Sequence, residues 1–349
     1  DASLDEAIVV VTGVPFDLLT ELQSNEVVDS IELVSGTEIS VGYSEDWQDA
    51  FAKVTNLADA QLTVTGVTGD LLADLLDNEL LDGIELTPGT PISVEFSSNW
   101  LDAFSKVGNL GAADLTITGV ADGSAVLALA IDNRVDHVTV QAGTQVTITS
   151  TQYNNGESAL YAGLGKVSNG SAFTLTVTGV QALSGNGVPF ALLDPMVDRV
   201  ELSNSTIVKL NGVAAYDGLI DALSTKAVTG GSLSLQVINL NASEALRVSA
   251  DPRVTQVGLQ NGQVLEVDAD QLTAAAKAKL SKIEGMVKLV DANTSNLKAT
   301  SLKELQKLGI DAIAVTGTPT TSNVPAASVS IELGSADVTS NPIPAFEGG

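Results

Sequence analysis

The chain has 349 residues, 44% of them hydrophobic and only 4% aromatic, so it can bury a sizeable core, and that core must be aliphatic. Sixteen Lys and Arg stand against 43 Asp and Glu, a formal net charge of -27. That charge repels nucleic acid and anionic lipid, attracts cations and favours solubility. Cysteine is absent, which excludes disulfides, thiolate catalysis and Cys-based zinc sites. No apolar run approaches the roughly 20 residues that span a bilayer as a helix, so membrane insertion is not expected.

Asp1-Ala2-Ser3 fits a mature end left by leader cleavage, or a cloning boundary. From residue 12 onward the chain repeats itself. Residues 12–64 laid over 65–117 agree at 30 of 53 positions without a gap. The phrase Thr-Gly-Val begins at Thr12, Thr65, Thr118 and Thr178, giving steps of 53, 53 and 60 residues. Val237-Ile238-Asn239-Leu240 is a degenerate copy.

Within one period the elements follow from hydrophobic spacing. Leu62-Thr63-Val64-Thr65 alternates and reads as a strand that Gly66 ends. Asp70 is placed to cap a helix carrying Leu71, Leu72, Leu75 and Leu76 on one side. Ile84-Glu85-Leu86 and Ile92-Ser93-Val94-Glu95-Phe96 read as strands about the turn Pro88-Gly89-Thr90. Ser97 is placed to cap a second helix with Trp100, Phe104 and Val107 on its buried face. Trp47 and Trp100 lie one period apart and read as core, with Leu160 and Leu219 at that position in later units. A stacked aromatic platform for sugar would need the indoles exposed.

The short helices are marginal alone and need neighbouring units to pack against. The expected fold is therefore α/β: a tandem-repeat, solenoid-like array of short strands and short helices, about 53–60 residues per repeat, each of two β–α half-repeats. A string of separate small α/β domains is the alternative. Residues 1–240 hold four repeats. Residues 241–317 form a divergent repeat and cap, with strands at 286–291 and 312–317. The Lys-rich helix Thr273–Ile283 either closes the array or docks on the acidic face of another molecule. Residues 318–349 form a linker, an alternating segment Ser328–Leu333, and a tail. That segment either closes the domain or adds to a sheet edge of a neighbouring subunit.

With these repeats laid out, Leu62–Val67, Val135–Val140 and Ala172–Val180 resemble the β–α repeats of very large bacterial secreted and surface proteins. Those include adhesins and S-layer-like proteins, some exported with calcium-binding RTX regions. The resemblance covers residues 8–240 and implies an extracellular or cell-surface structural protein. The Gly-Gly-x-Gly-x-Asp nonapeptide is absent, so calcium binding of that type is not implied.

Few reactive constellations stand out in the sequence. His137 is the single histidine, at a position occupied elsewhere by Ser30, Gly83 and Arg199, and reads as surface. Gly163-Leu164-Gly165-Lys166 lacks P-loop spacing, and its lysine matches Lys53 and Lys106 of the other repeats. Asp268-Ala269-Asp270 reads as a turn or a weak metal pair. The recurring Asp29, Asp82, Asp136 and Asp198 precede alternating strands. Each either caps its own turn or, with its equivalents stacked, shares calcium in an acidic ladder.

The expected function is structural and not enzymatic: a self-assembling surface-layer or filament subunit, or a rod segment of a large adhesin. The alternative is an adhesin module binding carbohydrate or a host surface.

Overall fold

The computed structural model describes residues 8–268, 271–292, 305, 307–316 and 328–332. The chain divides into two compact units, Asp1–Val146 with Glu157–Thr174, and Thr147–Gly156 with Leu175–Gly349. Each is mixed α/β, with several small, predominantly parallel sheets and short helices.

In the first unit, β1 (Val10–Val14) leads through the helix Phe16–Gln23 to β2 (Ser30–Leu33), its parallel neighbour. β3 (Glu38–Gly42) follows. Then β4 (Gln61–Val67) leads through the helix Gly69–Leu76 to β5 (Gly83–Leu86), in a parallel sheet of order β3–β4–β5. The pattern recurs in β6 (Pro91–Glu95), β7 (Asp114–Val120), the helix Gly123–Ile131 and β8 (His137–Val140). A single parallel bridge adds a return segment beyond each short strand: Ile31 with Val54, Ile84 with Val107, and Val138 with Val167.

The second unit widens these bridges into strands. β9 (Thr144–Thr149), β10 (Phe173–Val180), β11 (Arg199–Leu202) and β13 (Ala227–Gly230) form one sheet in that spatial order. β12 (Thr206–Asn211), β14 (Leu233–Leu240), β15 (Val254–Leu259) and β17 (Ile283–Glu284) form the next. The last contains β16 (Val264–Asp268), β18 (Met286–Ala292), β19 (Ala312–Thr316) and β20 (Ser328–Glu332), with β20 antiparallel to β19.

A complete sheet thus contains a lead strand, a long strand, a short strand and a return segment. In chain order, the lead strand of the next sheet comes before the return segment of the present one. β6 lies between β5 and Val107, and β16 lies between β15 and β17. Consecutive sheets inside a unit are therefore interlocked, and a 53-residue segment cannot complete its own sheet. The alternative of independent small domains at that period does not describe either unit.

Gly66 does not end its strand. It sits inside β4 at φ +73°, where the pairing with β5 slips between Thr65 and Val67. Leu62 and Val64 are buried, as alternation requires; Gly66 is exposed and Val67 is buried instead. The bulge changes which face the next residue meets. Asn239 fills the same place in β14 at φ +66°, so the degenerate copy keeps the bulge without the glycine.

Two expected caps differ. The helix after β4 starts from Thr68, with no side-chain cap bond. Asp70 instead accepts from the Thr68 hydroxyl at 2.6 Å. That bond, reinforced by backbone N–H groups, holds the Asp70 carboxyl below its usual range. The expected second helix is a 3-10 turn, Trp100–Phe104, entered from Asn99 without a side-chain cap. Too few residues separate β6 from Val107, which must return to bridge Ile84, for a longer helix to fit. The twelve-residue helix Val213–Ser224 occupies the corresponding stretch between β12 and β13. Of the expected terminal strands, 286–291 and 312–317 appear as β18 and β19. The Lys-rich helix runs Ala274–Leu280, with Thr273 at its N-cap accepting from the Ala276 N–H.

The core is mainly aliphatic, with Leu62, Ile84, Leu115, Ile117, Leu175 and Leu235 fully enclosed. Trp47 and Trp100 are buried and meet Phe51 and Phe104 edge to face at 6.4 Å. Burial removes the indoles as a sugar platform. Leu160 and Leu219 are not their counterparts. Trp47, Trp100 and Tyr216 each stand five residues past the end of the preceding strand, at Gly42, Glu95 and Asn211. Tyr153 is the corresponding buried aromatic after β9.

Candidate functional site

The recurring polar residues converge on one task, which is pairing backbone groups where the sheets and helices end. Four aspartates stand immediately before a short strand. Asp29 Oδ2 accepts from the Val9 N–H at 2.7 Å, and the Asp29 N–H donates to the Val9 carbonyl at 3.0 Å. Asp82 holds Leu62 in the same way at 2.9 and 3.0 Å. Asp136 does so for Leu115 and Asp198 for Leu175. Each aspartate thus closes a two-point clamp on the long strand, extending the ladder by one residue past the short strand.

Asp311, not singled out from sequence, does the same for Val287. Its signal was available, since it too directly precedes a short strand. Before β15 the position is Arg253, and there the Leu235 N–H donates directly to the Arg253 carbonyl at 2.8 Å. Among the described residues no three His, Asp or Glu side chains group closely enough to hold a metal ion. Residues 269–270 of the Asp268–Asp270 pair lie outside the described residues.

A second clamp escaped the sequence reading. Asn109 accepts from the Leu86 N–H at 2.7 Å through Oδ1 and donates to the Leu86 carbonyl at 2.9 Å through Nδ2. Asn56 does this for Leu33, and Asn169 for Val140. A primary amide presents the same donor and acceptor as a peptide. The side chain thus continues the return segment beyond its single bridge. In the second unit, the full strand β13 pairs with β11 from Arg199–Ala227 to Leu202–Gly230, and no asparagine stands there. The available signal was the phrase Lys-Val-x-Asn at 53–56, 106–109 and 166–169.

The lysine of that phrase has its own partner. Lys53 Nζ donates to the Asn25 carbonyl at 2.8 Å, Lys106 to Asn78 and Lys166 to Asp132, both at 2.7 Å. Lys226 donates to the Asp194 and Val197 carbonyls, and Lys282 to those of Ser249 and Asp251. Each ammonium answers carbonyls left at or just past a helix C-terminus, where positive charge is favoured. Burial pulls the Lys226 ammonium below its usual range, against the opposing pull of Asp194 and Asp198.

A third arrangement follows the same helix ends. Tyr153 donates to Asp194 at 2.8 Å, and Tyr216 to Asp251 at 2.9 Å. Arg253 forms a fork with Asp251, and Arg134 with Asp132. Burial and the neighbouring Asp251 carboxylate push the Tyr216 phenol up to about 12. Burial alone would raise Asp251, but bonds from Arg253 and Tyr216 outweigh it and leave the carboxyl low. Arg134 and Arg247 also lie over the Trp100 and Tyr216 rings, at 5.9 and 5.8 Å. His137 is exposed and lies 3.4 Å from Asp114.

A carboxylate, amide or ammonium whose atoms are matched to peptide groups is a structural element with fixed geometry. The arrangement secures strand and helix ends. No described helix is long and apolar enough to cross a membrane. Neither any protein-family model nor any curated protein matches the chain.

Proposed function

We propose that the chain is a structural repeat protein of the bacterial cell surface or extracellular space. Its role would be scaffolding by self-association into a filament or surface layer, without enzymatic activity. The observation that supports this best is the use of the recurring Asp, Asn and Lys in the same backbone-pairing role, at intervals set by the repeat. Interlocked consecutive sheets support the finer reading of a solenoid-like array, in which each unit needs the next. The acidic composition keeps such an array soluble until specific contacts form, and the sequence resemblance to large surface-protein repeats points the same way.

Negative-stain electron microscopy and sedimentation across a concentration series test the proposal. Filaments or sheets with a regular axial repeat are expected. A particle that remains a single chain at every concentration and ionic strength would remove self-assembly from the function.

A further inference from the structure

The acidic charge is spread unevenly. Residues 1–240 hold 31 Asp and Glu against seven Lys and Arg, whereas residues 241–317 hold nine of each. On the helices the contrast falls on equivalent positions. The recurring lysines cap carbonyls of Asn25, Asn78, Asp132, Asp194 and Asp251. Four residues before these stand Glu21, Asp74, Ala128, Phe190 and Arg247 in turn, so the sign reverses from the first unit to the second.

The helix Gly69–Leu76 concentrates the negative charge on one face. Asp70, Asp74 and Asp77 follow at i, i+4 and i+7, all exposed, with exposed Ala73 among them. Like charges at these spacings repel. Asp74 in the last turn and Asp77 at the C-cap also oppose the helix dipole. The Thr68 hydroxyl bonds Asp70, but among the described residues no Lys or Arg pairs with any of the three carboxylates. The helix thus bears a repulsion that no described ion pair relieves.

The helix Ala274–Leu280 presents the complementary face. Four other stretches join a lead strand to the recurring lysine, at 43–52, 96–105, 150–165 and 212–225. Each contains acidic residues and no Lys or Arg. Residues 271–281 reverse this, with Lys277, Lys279 and no acidic residue. Ala274, Ala275 and Ala278 are exposed, and half-buried Lys277 and Lys279 stand on either side of Ala278. Neither ammonium takes part in an ion pair among the described residues.

We infer that these two helices dock on each other between copies: the Asp70, Asp74 and Asp77 face of one chain receives the Lys277 and Lys279 face of a second copy. Ala73 on one side and Ala274, Ala275 and Ala278 on the other let the helices approach closely, while the lysine stems reach the carboxylates. Charge complementarity of this kind selects the partner and its orientation more than it adds affinity. The two faces belong to different units of the chain, so the contact is heterologous and propagates when the rotation does not close. It rests on the self-assembly proposed above and specifies its contact.

Charge reversal on the full chain tests the contact. Lys277→Glu/Lys279→Glu and Asp74→Lys/Asp77→Lys should each abolish the polymers seen by electron microscopy while leaving the far-ultraviolet dichroism unchanged. Mixing the two reversed chains should restore polymers, because each altered face then meets its opposite. The aspartate reversal lowers the net negative charge, so relief of general repulsion would strengthen association where this contact weakens it. Asp46→Lys/Asp49→Lys makes the same charge change elsewhere in the unit and should leave polymers intact. In parallel, unlabelled and isotopically heavy wild-type chains are mixed and treated with a carbodiimide, which joins a carboxylate to an ammonium in direct contact. Mixed-isotope peptides should link Asp70, Asp74 or Asp77 to Lys277 or Lys279. Polymers that persist in either reversed chain, or mixed-isotope links that join these lysines only to other acidic segments, overturn the contact and leave self-assembly standing. A wild-type chain that neither polymerises nor yields mixed-isotope links overturns both.

Discussion

Replacing Asn109 tests whether a side-chain amide completes the sheet. Leu86 is 3% exposed, and Asn109 provides both a donor and an acceptor for its peptide groups. Asn109→Ala leaves a buried N–H and a buried carbonyl without that partner. At about 1–3 kcal/mol for each orphaned group, reduced because Asn109 is only half-buried and water can enter, the loss is about 2–4 kcal/mol. Asn109→Asp is the sharper variant. Its carboxylate still accepts from the Leu86 N–H, but it turns a negative oxygen toward the Leu86 carbonyl. The protonated acid can donate there and restore the second bond. The folded-state pKa of the new carboxyl is therefore raised above its unfolded value near 4, and the native state holds the proton more tightly. Relative to wild type, Asn109→Asp should be least destabilised below about pH 4 and lose stability as pH rises through the raised value. Both tryptophans of the chain, Trp47 and Trp100, lie in the same compact unit as Asn109. Urea unfolding followed by tryptophan fluorescence thus reports this unit alone. Two variants within about 0.5 kcal/mol of wild type, or an Asp variant whose deficit does not change with pH, would refute the amide-as-peptide reading.

Other perturbations probe the remaining devices. Gly66→Ala places a Cβ that meets nothing within 4 Å, so its cost is backbone strain alone, about 1–2 kcal/mol, and Gly66→Asn should cost less. By contrast, Gly163→Ala drives a Cβ to 2.2 Å from the Ala130 carbonyl oxygen and should cost about 3 kcal/mol or more, read in the same fluorescence assay. Lys106→Met removes the bond to the Asn78 carbonyl and should cost about 1–2 kcal/mol; an unchanged midpoint would show that water replaces the ammonium. In an absorbance titration of the phenols, Tyr216→Phe should remove a component near pH 12. Because that pKa lies above the unfolded value near 10, the stability Tyr216 contributes is complete below pH 10 and is lost as pH rises through about 12. Asp82→Asn keeps an acceptor for the Leu62 N–H and should remain within about 1 kcal/mol of wild type, whereas Asp82→Ala should lose about 1–3 kcal/mol. Millimolar calcium should shift none of these unfolding curves; a rise confined to proteins that keep the Asp82 carboxylate would support the calcium ladder.

The strands, the 53-residue period and the helix that follows each long strand were legible because each is local. Alternation at Leu62–Thr65 and helical spacing at Leu71–Leu76 need no knowledge of the partner. Lys53, Lys106 and Lys166 were visible as one recurring residue, but their acceptors lie 28 to 34 residues earlier in the chain. The Asn56, Asn109 and Asn169 clamps are hidden for the same reason, as their peptide partners are 23 to 29 residues distant. Gly66 was misread because a strand-ending glycine and a bulge glycine both need positive φ, and only the buried Val67 distinguishes them. The misplaced counterpart of Trp100 has another cause. Tyr216 keeps the aromatic ring but sends its hydroxyl to Asp251, a bond with no precedent in the tryptophan repeats.

In a repeat protein, chemistry specific to one place requires a departure from the shared pattern. Most departures here keep the same bonds by other means: Asn239 for glycine in the bulge, β13 for the asparagine clamp, the Arg253 carbonyl for an aspartate. They exchange one way of satisfying the backbone for another.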